Sequence, residues 1–380
     1  MQRNNNFFYS WWWKIDRIDI SLFIVFLSLS SLMVATASPA IAERIGVAPF
    51  YFMKRQMIFI MLAIMIVFLF SLLSPKALRV VSFFGYIASI ALLVGVLLAG
   101  IEIKGAKRWL NILGISVQPS EIIKPFFIIL SSFVLSKRID NTDSRGYYIS
   151  TVLYGMIIVF LLLQPDFGMI ITTTAIWVTQ LFLAGLSVAW IIIAAILSIL
   201  LIIICYITLP HVANRINRFL DPDNYENYQV KKSLEAYKNG GFFGKGPGEG
   251  QVKQNLPDSH TDFIFSVIGE ELGIVTCIAI VLLFAFIIVR NFFKLFNEED
   301  HFKIISVSAI LVQLGLQSII NIGVTLHLLP TKGMTLPFIS YGGSSMVTSS
   351  ILMGMLLALT KKKFDRKKGS FVSNMRGFDE

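Results

Sequence analysis

The sequence predicts an all-α polytopic membrane protein of about ten transmembrane helices, with a large extracytoplasmic loop between helices 7 and 8. Three observations predict it. Hydrophobic residues fill 55% of the 380 positions and charged residues only 15%, where a soluble domain carries about 25% charged. Mean hydropathy is +0.72, too apolar for a chain whose surface faces water. Stretches long enough to cross ~30 Å of hydrocarbon at ~1.5 Å per residue recur along the length, at 18–38, 56–74, 79–101, 120–136, 150–164, 167–185, 188–209, 262–289, 303–327 and 343–360.

Taken in order, the first stretch has the flanks of a signal peptide, with Lys14 and Arg17 before it and Ala40-Ile41-Ala42 after it. Its apolar run of ~20 residues exceeds the usual signal core, and further spans follow, so it reads as an uncleaved anchor. The fourth, fifth and tenth stretches are short. An even number of spans puts both termini on one side. Counting Lys and Arg in the short connections gives 18 on the side of the termini and 7 on the other, so both ends are expected in the cytoplasm. Residues 1–360 then form a single membrane domain with an external loop at 210–261, and 361–380 a basic cytoplasmic tail.

Composition excludes several function classes. The two cysteines, Cys205 and Cys277, lie inside apolar runs, where a thiol behaves as a small hydrophobe. Four scattered histidines and no CxxC argue against a zinc centre. The net charge of +10 owes seven basic residues to the segment after Leu359. A basic juxtamembrane tail marks a cytoplasmic end near anionic lipid, and no nucleic-acid partner is expected. The glycine-rich run from Gly240 to Gly248 fails as a nucleotide loop, because Gly244-Lys245 is followed by Gly246 rather than Ser or Thr. No nucleotide cofactor is expected.

Polar groups in or beside spans are costly and point to function. Glu121 and Lys124 open the fourth span on one helix face, either as a neutralising pair or as the lining of a polar cavity. Gln118-Pro119-Ser120 and Gly105-Ala106-Lys107-Arg108-Trp109 precede them in the same outer connection, Trp109 being equally suited to interfacial anchoring. Asp262, at the mouth of the eighth span, fits a capping box with Ser259 as well as a catalytic role. Glu270 and Glu271 continue that helix on different faces and need partners such as Lys124 or Lys332. Lys332 stands in a Pro- and Gly-rich outer loop; it suits an anionic group such as a diphosphate, or snorkels to the interface.

These motifs together carry a resemblance. GAKRW at 105–109, QPSE at 118–121, QPDFG at 164–168, HTDFIF at 260–265, GEELG at 269–273 and LPFISYGGSS at 336–345 resemble the SEDS family (shape, elongation, division and sporulation) of bacterial cell-wall polymerases. Pro330-Thr331-Lys332-Gly333 and Gly269-Glu270-Glu271 resemble its division branch more than its elongation branch. The segment after Gly248 and the arm Met1–Trp13 depart from the common pattern.

The resemblance implies a peptidoglycan glycosyltransferase that polymerises lipid II into β-1,4 glycan on the outer face of the plasma membrane, with inversion, releasing undecaprenyl diphosphate. It implies lipid II and undecaprenyl-linked glycan as substrates. A class B penicillin-binding protein and other division proteins are the implied partners, and the septum is the implied site of action. The family's essential aspartate falls on Asp262. A sugar hydroxyl needs a carboxylate to accept its proton, and a departing diphosphate needs positive charge. Lys332, Arg215, Lys107 and Arg108 are candidates for that charge; Trp109, Glu121, Lys124, Ser340 and Ser344 complete the expected binding set. A divalent cation, magnesium or manganese, would share the work with Asp262 as a ligand instead of the base. Transport of lipid II across the bilayer is the rival reading, since polar residues within spans also suit a headgroup path.

Overall fold

The computed structural model describes residues 7–103, 106–112, 114–141, 145–208, 213, 217, 228–330 and 333–361. Arg215 and Lys332, and all of the tail beyond Lys361, lie outside the described residues. The helices are α1 (Phe7–Lys14), α2 (Arg17–Ala37), α3 (Pro39–Arg44), α4 (Tyr51–Leu72), α5 (Pro75–Ala99), α6 (Pro119–Asn141), α7 (Arg145–Leu163), α8 (Phe167–Leu183) and α9 (Val188–Thr208). They continue with α10 (Tyr228–Gly240), α11 (Ile264–Glu271), α12 (Gly273–Leu295), α13 (His301–Thr325) and α14 (Gly343–Leu359). A helix therefore occupies each of the ten expected stretches. Among the described residues, six are long and apolar enough to cross a membrane by length and composition, and Phe167–Leu183 and Gly343–Leu359 are apolar but shorter.

Burial sorts these helices into a hub and a rim. The most apolar window of α13 is 72% buried, against 22–39% in the other long apolar helices. Residues such as Ile58, Met61, Met65 and Leu69 on α4 stay exposed, as a lipid-facing stripe requires. The hub helix α14 is built from small residues, which let neighbours approach closely where no hydrophobic drive separates protein from lipid. A Cβ at Gly343 would sit 2.6 Å from the Phe59 ring, and one at Gly354 would meet Phe70 and Val67, all on α4.

Ions lock the outer ring at one end. Arg290 of α12 reaches Asp16 at 2.7 Å and Asp19 at 3.0 Å, and Lys294 reaches the same two carboxylates at 2.8 and 2.9 Å. Burial alone would raise the Asp16 pKa; hydrogen bonds and charge from Arg290 and Lys294 outweigh it and hold that carboxyl well below the usual range. The cluster ties the start of α2 to the end of α12, so these two ends share a side.

Three expectations need correction. The connection before α6 is an antiparallel meander, β1 (Ile101–Ile103), β2 (Ala106–Ile112) and β3 (Ile115–Val117), not a plain loop. Its β-rich sequence Leu110-Asn111-Ile112 pairs with Ile115-Ser116-Val117 across a turn at Gly114, which has φ of +79°. The eighth span is broken: α11 ends at Glu271 and α12 starts at Gly273, whose φ of +82° suits glycine. Asp262 precedes the helix rather than capping it. Phe263 is the N-cap residue, and the Ser259 hydroxyl is buried without a hydrogen-bond partner.

Candidate active site

The broken helix explains the glycine-rich run. A helix end leaves orphan carbonyls and a helix start leaves orphan N–H groups; here one segment satisfies both. Lys245 N donates to Glu270 O at 3.0 Å and Gly246 N to Glu271 O at 2.9 Å, while Ile274 N donates to Gly241 O and Val275 N to Phe242 O. Close approach requires the glycines: a Cβ at Gly240 would collide with Gly269 O, and one at Gly244 with Glu271 O.

The two glutamates are engaged by the same loop. Glu270 accepts from Asn239 Nδ2 at 2.7 Å and from the backbone N–H groups of Gln251, Val252 and Lys253 at 2.8–3.0 Å. Glu271 is paired with Lys253, whose ammonium also donates to Thr36 O and Gly248 O. The expected partners Lys124 and Lys332 are thus replaced by Lys253 and backbone amides. A buried carboxylate must be satisfied by something, and a nearby loop supplies it at lower cost than a distant lysine. Sequence reasoning missed Lys253 because it sits in the segment least like the family pattern.

With α11 fixed, the turn Leu256–Phe263 meets the loop after α13. Tyr341 N donates to His260 O at 2.9 Å, and the Ser340 hydroxyl donates to Thr261 O at 2.7 Å while accepting from Leu336 N at 2.8 Å. Asn321 of α13 donates to Asp262 O at 2.8 Å and to Met334 O at 2.6 Å, clasping both loops. Asp262 is half-buried. Its Oδ2 lies 2.8 Å from where a Cβ on the exposed Gly333 would stand. Among the described residues, Asp258, His327 and Phe338 are non-glycine residues in the left-handed region. All lie in the loops that build this region, where backbone strain of ~1–3 kcal/mol each is commonly held.

His260 packs at a tilt within an aromatic cluster, its ring centroid 4.6 Å from that of Phe52 and 5.1 Å from that of Tyr341. Burial pushes its pKa down to about 4, against a smaller opposing pull from Asp258. It is neutral at pH 7 and packs as a ring.

A hydrogen-bonded floor runs from this turn to the start of α6. Gln317 donates to Thr335 O at 3.1 Å and to Ser345 Oγ at 3.4 Å. Ser344 Oγ accepts from Gln118 N at 2.9 Å, and Gln118 Nε2 reaches Asp166 at 3.5 Å. Lys124 is fully buried, donates to Met169 Sδ at 3.6 Å and lies in the fields of Glu121 and Asp166. Asp166, Asn321 and Gln317 were not singled out by sequence reasoning. The four-residue spacing Gln313–Gln317–Asn321 within an apolar span is the signal that marks one polar stripe.

The remaining candidates sit on the meander. Arg108 donates to Gln164 O at 3.2 Å and Pro165 O at 2.5 Å, so its guanidinium braces the 164–166 turn. Lys107 is exposed opposite Glu102, and Trp109 is half-buried opposite Ile101. Among the described residues no group of three or more His, Cys, Asp and Glu side chains gathers to hold a metal. A cation at Asp262 would depend on that carboxylate together with substrate phosphate oxygens, the way Mg²⁺ is commonly bound.

A helical membrane protein with one carboxylate at the lip of a polar floor is the class these features define. The model of the FtsW/RodA/SpoVE family of cell cycle proteins matches residues 16–364, and the chain belongs to that family. It is 38% identical to the probable peptidoglycan glycosyltransferase FtsW of Caulobacter vibrioides over 92% of this chain and 90% of the relative. It is 34% identical to the FtsW of Coxiella burnetii over 91% and 96%. Among solved structures it is similar to a chain described under structural coordination of polymerization and crosslinking by a peptidoglycan synthase complex. That match has a TM-score of 0.76 and 26% identity, covering 91% of this chain and 97% of that one. The rod shape determining protein RodA of Thermus thermophilus is similar with a TM-score of 0.68 and 25% identity, over 92% and 97%.

Proposed function

We propose that this chain is a peptidoglycan glycosyltransferase of the plasma membrane that polymerises lipid II during cell division. The family and the glycosyltransferase names of its FtsW relatives support the activity. The observation that carries the site is Asp262: a half-buried carboxylate at the entry of α11, beside Gly333, on backbone clasped by Asn321.

In the proposed reaction the 4-hydroxyl of the acceptor GlcNAc attacks the anomeric carbon of the donor. Its proton passes to Asp262, the bond to the diphosphate breaks, and undecaprenyl diphosphate leaves with inversion. Asp262 is half-buried at the entry of α11 beside Gly333, a place where a general base can meet an acceptor hydroxyl. Charge on the leaving diphosphate is met by Lys332, next to Gly333 in sequence, with Arg215 and Lys107 as further sources. Arg108 instead positions the 164–166 turn, and Ser340 and Ser344 hold the loops that face the substrate. A divalent cation, when bound, would neutralise diphosphate charge beside Asp262.

The orientation that suits this reading has the termini in the cytoplasm and the Asp262 loops outside. A class B penicillin-binding protein is the proposed partner, as crosslinking must follow polymerisation. Purified protein with lipid II in detergent tests the reading, because detergent has no sidedness. Polymer from wild type and none from Asp262→Asn is expected. No polymer from well-folded wild type would overturn the enzyme and leave transport.

A further inference from the structure

Away from the polar floor, at the opposite end of α5 and α6, a cavity of about 500 Å³ opens between α5, α6 and α7. This lies within the ~300–1,000 Å³ typical of small-molecule sites. Its walls are Val80, Phe83, Leu130, Phe133, Val134, Ile149 and Leu153, with Lys76 and Arg79 at one end. Val80, Phe83 and Ile149 are 58%, 53% and 44% exposed, so the cavity opens sideways onto the bilayer-facing surface.

The charges at its end are unusual. The Arg79 guanidinium lies 4.5 Å from the centroid of the Phe133 ring and 4.2 Å from that of Phe302. Lys137 Nζ lies 4.5 Å from the same Phe133 ring. Among the described residues none of Lys76, Arg79 and Lys137 forms an ion pair, and Arg79 Nε is buried without a hydrogen-bond partner. Two cations on one ring repel each other, and repulsion is stronger near hydrocarbon than in water. An anion between them relieves it and gives the orphan N–H a partner.

We propose that this groove binds one anionic glycerophospholipid, its phosphate held by Lys76, Arg79 and Lys137 and an acyl chain laid along Phe83, Leu130 and Leu153. The occupant is a lipid rather than a soluble phosphate because the apolar walls open toward the bilayer and charge stands only at the end. With the orientation proposed above, the lipid belongs to the cytoplasmic leaflet; the binding test in detergent does not depend on that orientation or on the polymerase reading. A bound lipid would bridge α5, α6 and α7, and through Arg79 and Phe302 it would reach α13.

The test is native mass spectrometry of the full-length, delipidated protein titrated with phosphatidylglycerol or phosphatidylcholine of matched chains. Wild type is expected to bind one phosphatidylglycerol more tightly than phosphatidylcholine. Removing charge with Lys76→Gln plus Arg79→Gln should weaken phosphatidylglycerol ~25-fold, ~5-fold for each cation near the membrane surface, and leave phosphatidylcholine unmoved. Leu153→Trp, which fills the groove, should weaken both lipids. Soluble glycerophosphate should not compete. Equal affinity for the two lipids in wild type, or phosphatidylglycerol binding that ignores the double substitution, would overturn the site. Loss with the charge variant but none with Leu153→Trp, or displacement by glycerophosphate, would replace it with a surface phosphate site.

Discussion

Gly333→Ala is the sharpest test of where the chemistry lies. Gly333 does not occupy the positive-φ region, so alanine meets no backbone penalty there. The added methyl would lie 2.8 Å from Asp262 Oδ2 and 3.7 Å from Cγ. Ordinary carbon contacts fall at about 3.5–4.0 Å, so the carboxylate must retreat by ~0.7–1.2 Å. Gly333 is exposed, so the methyl displaces the carboxylate and not the core, leaving stability within ~0.5 kcal/mol, as for surface substitutions generally. Misplacement of a reacting group by ~1 Å costs on the order of 10²-fold in rate. The assay is the initial rate of glycan formation from saturating lipid II by purified protein, with thermal unfolding measured beside it. A rate within threefold of wild type at unchanged stability would refute the reasoning, since the carboxylate could then move without consequence.

Asp262→Asn should abolish polymerisation while leaving the melting temperature and partner binding unchanged; retained polymer formation would remove Asp262 as the base. Asn321→Leu should lower turnover at least ~10-fold and cost ~2–3 kcal/mol, because buried carbonyls of Asp262 and Met334 lose their donor; paired activity and melting measurements check it. Lys332→Ala should cut the initial polymerisation rate by ~10²–10³, with Lys332→Arg recovering part, and equal rates for all three would exclude it from the diphosphate site. His260 gives a pH signature. Its folded pKa of about 4 lies below the ordinary 6.5, so its contribution to stability is present above pH 6.5 and lost as pH falls toward 4, by roughly 3 kcal/mol. His260→Gln should flatten that part of the melting-temperature profile between pH 7 and 4.5.

The fold was legible because hydropathy reports transmembrane helices one at a time, and every expected stretch contains one. What escaped was tertiary accommodation. The break at Leu272–Gly273 is invisible to a window average because the apolar residues before Gly269 and after Gly273 outweigh Glu270 and Glu271; only Gly273 within Gly269–Gly273 hints at it. The partners of Glu270 and Glu271 were misassigned for a related reason. Charge complementarity suggests lysines, yet four of the bonds to Glu270 come from an amide side chain and backbone N–H groups, which carry no sequence label. Asp262 was legible as a site only through its motif, since by local pattern it also fitted a capping box with Ser259; in the structure Phe263, not Ser259, takes the N-cap position.

The broken helix also bears on how a site made of loops stays rigid. Irregular backbone survives near the membrane only where protein satisfies it, and sites on loops need supporting contacts to hold their geometry. Here each loop is fixed to a buried helix. Glu270 and Glu271 hold the 248–253 segment from inside α11, and Asn321 holds the Asp262 turn and Met334 from inside α13. Ser233 and Tyr237 fasten α10 to Thr325 at the end of α13. A displacement of α11 along its axis would therefore move Asp262 relative to Gly333 and strain the glycine cap at 244–246 together. Coupling of that kind makes the cap a distant control on the carboxylate. Gly244→Ala, whose methyl collides with the Glu271 carbonyl, should lower polymerisation through its effect on α11. Activity equal to wild type in a stably folded Gly244→Ala protein would show that α11 and the Asp262 turn move independently.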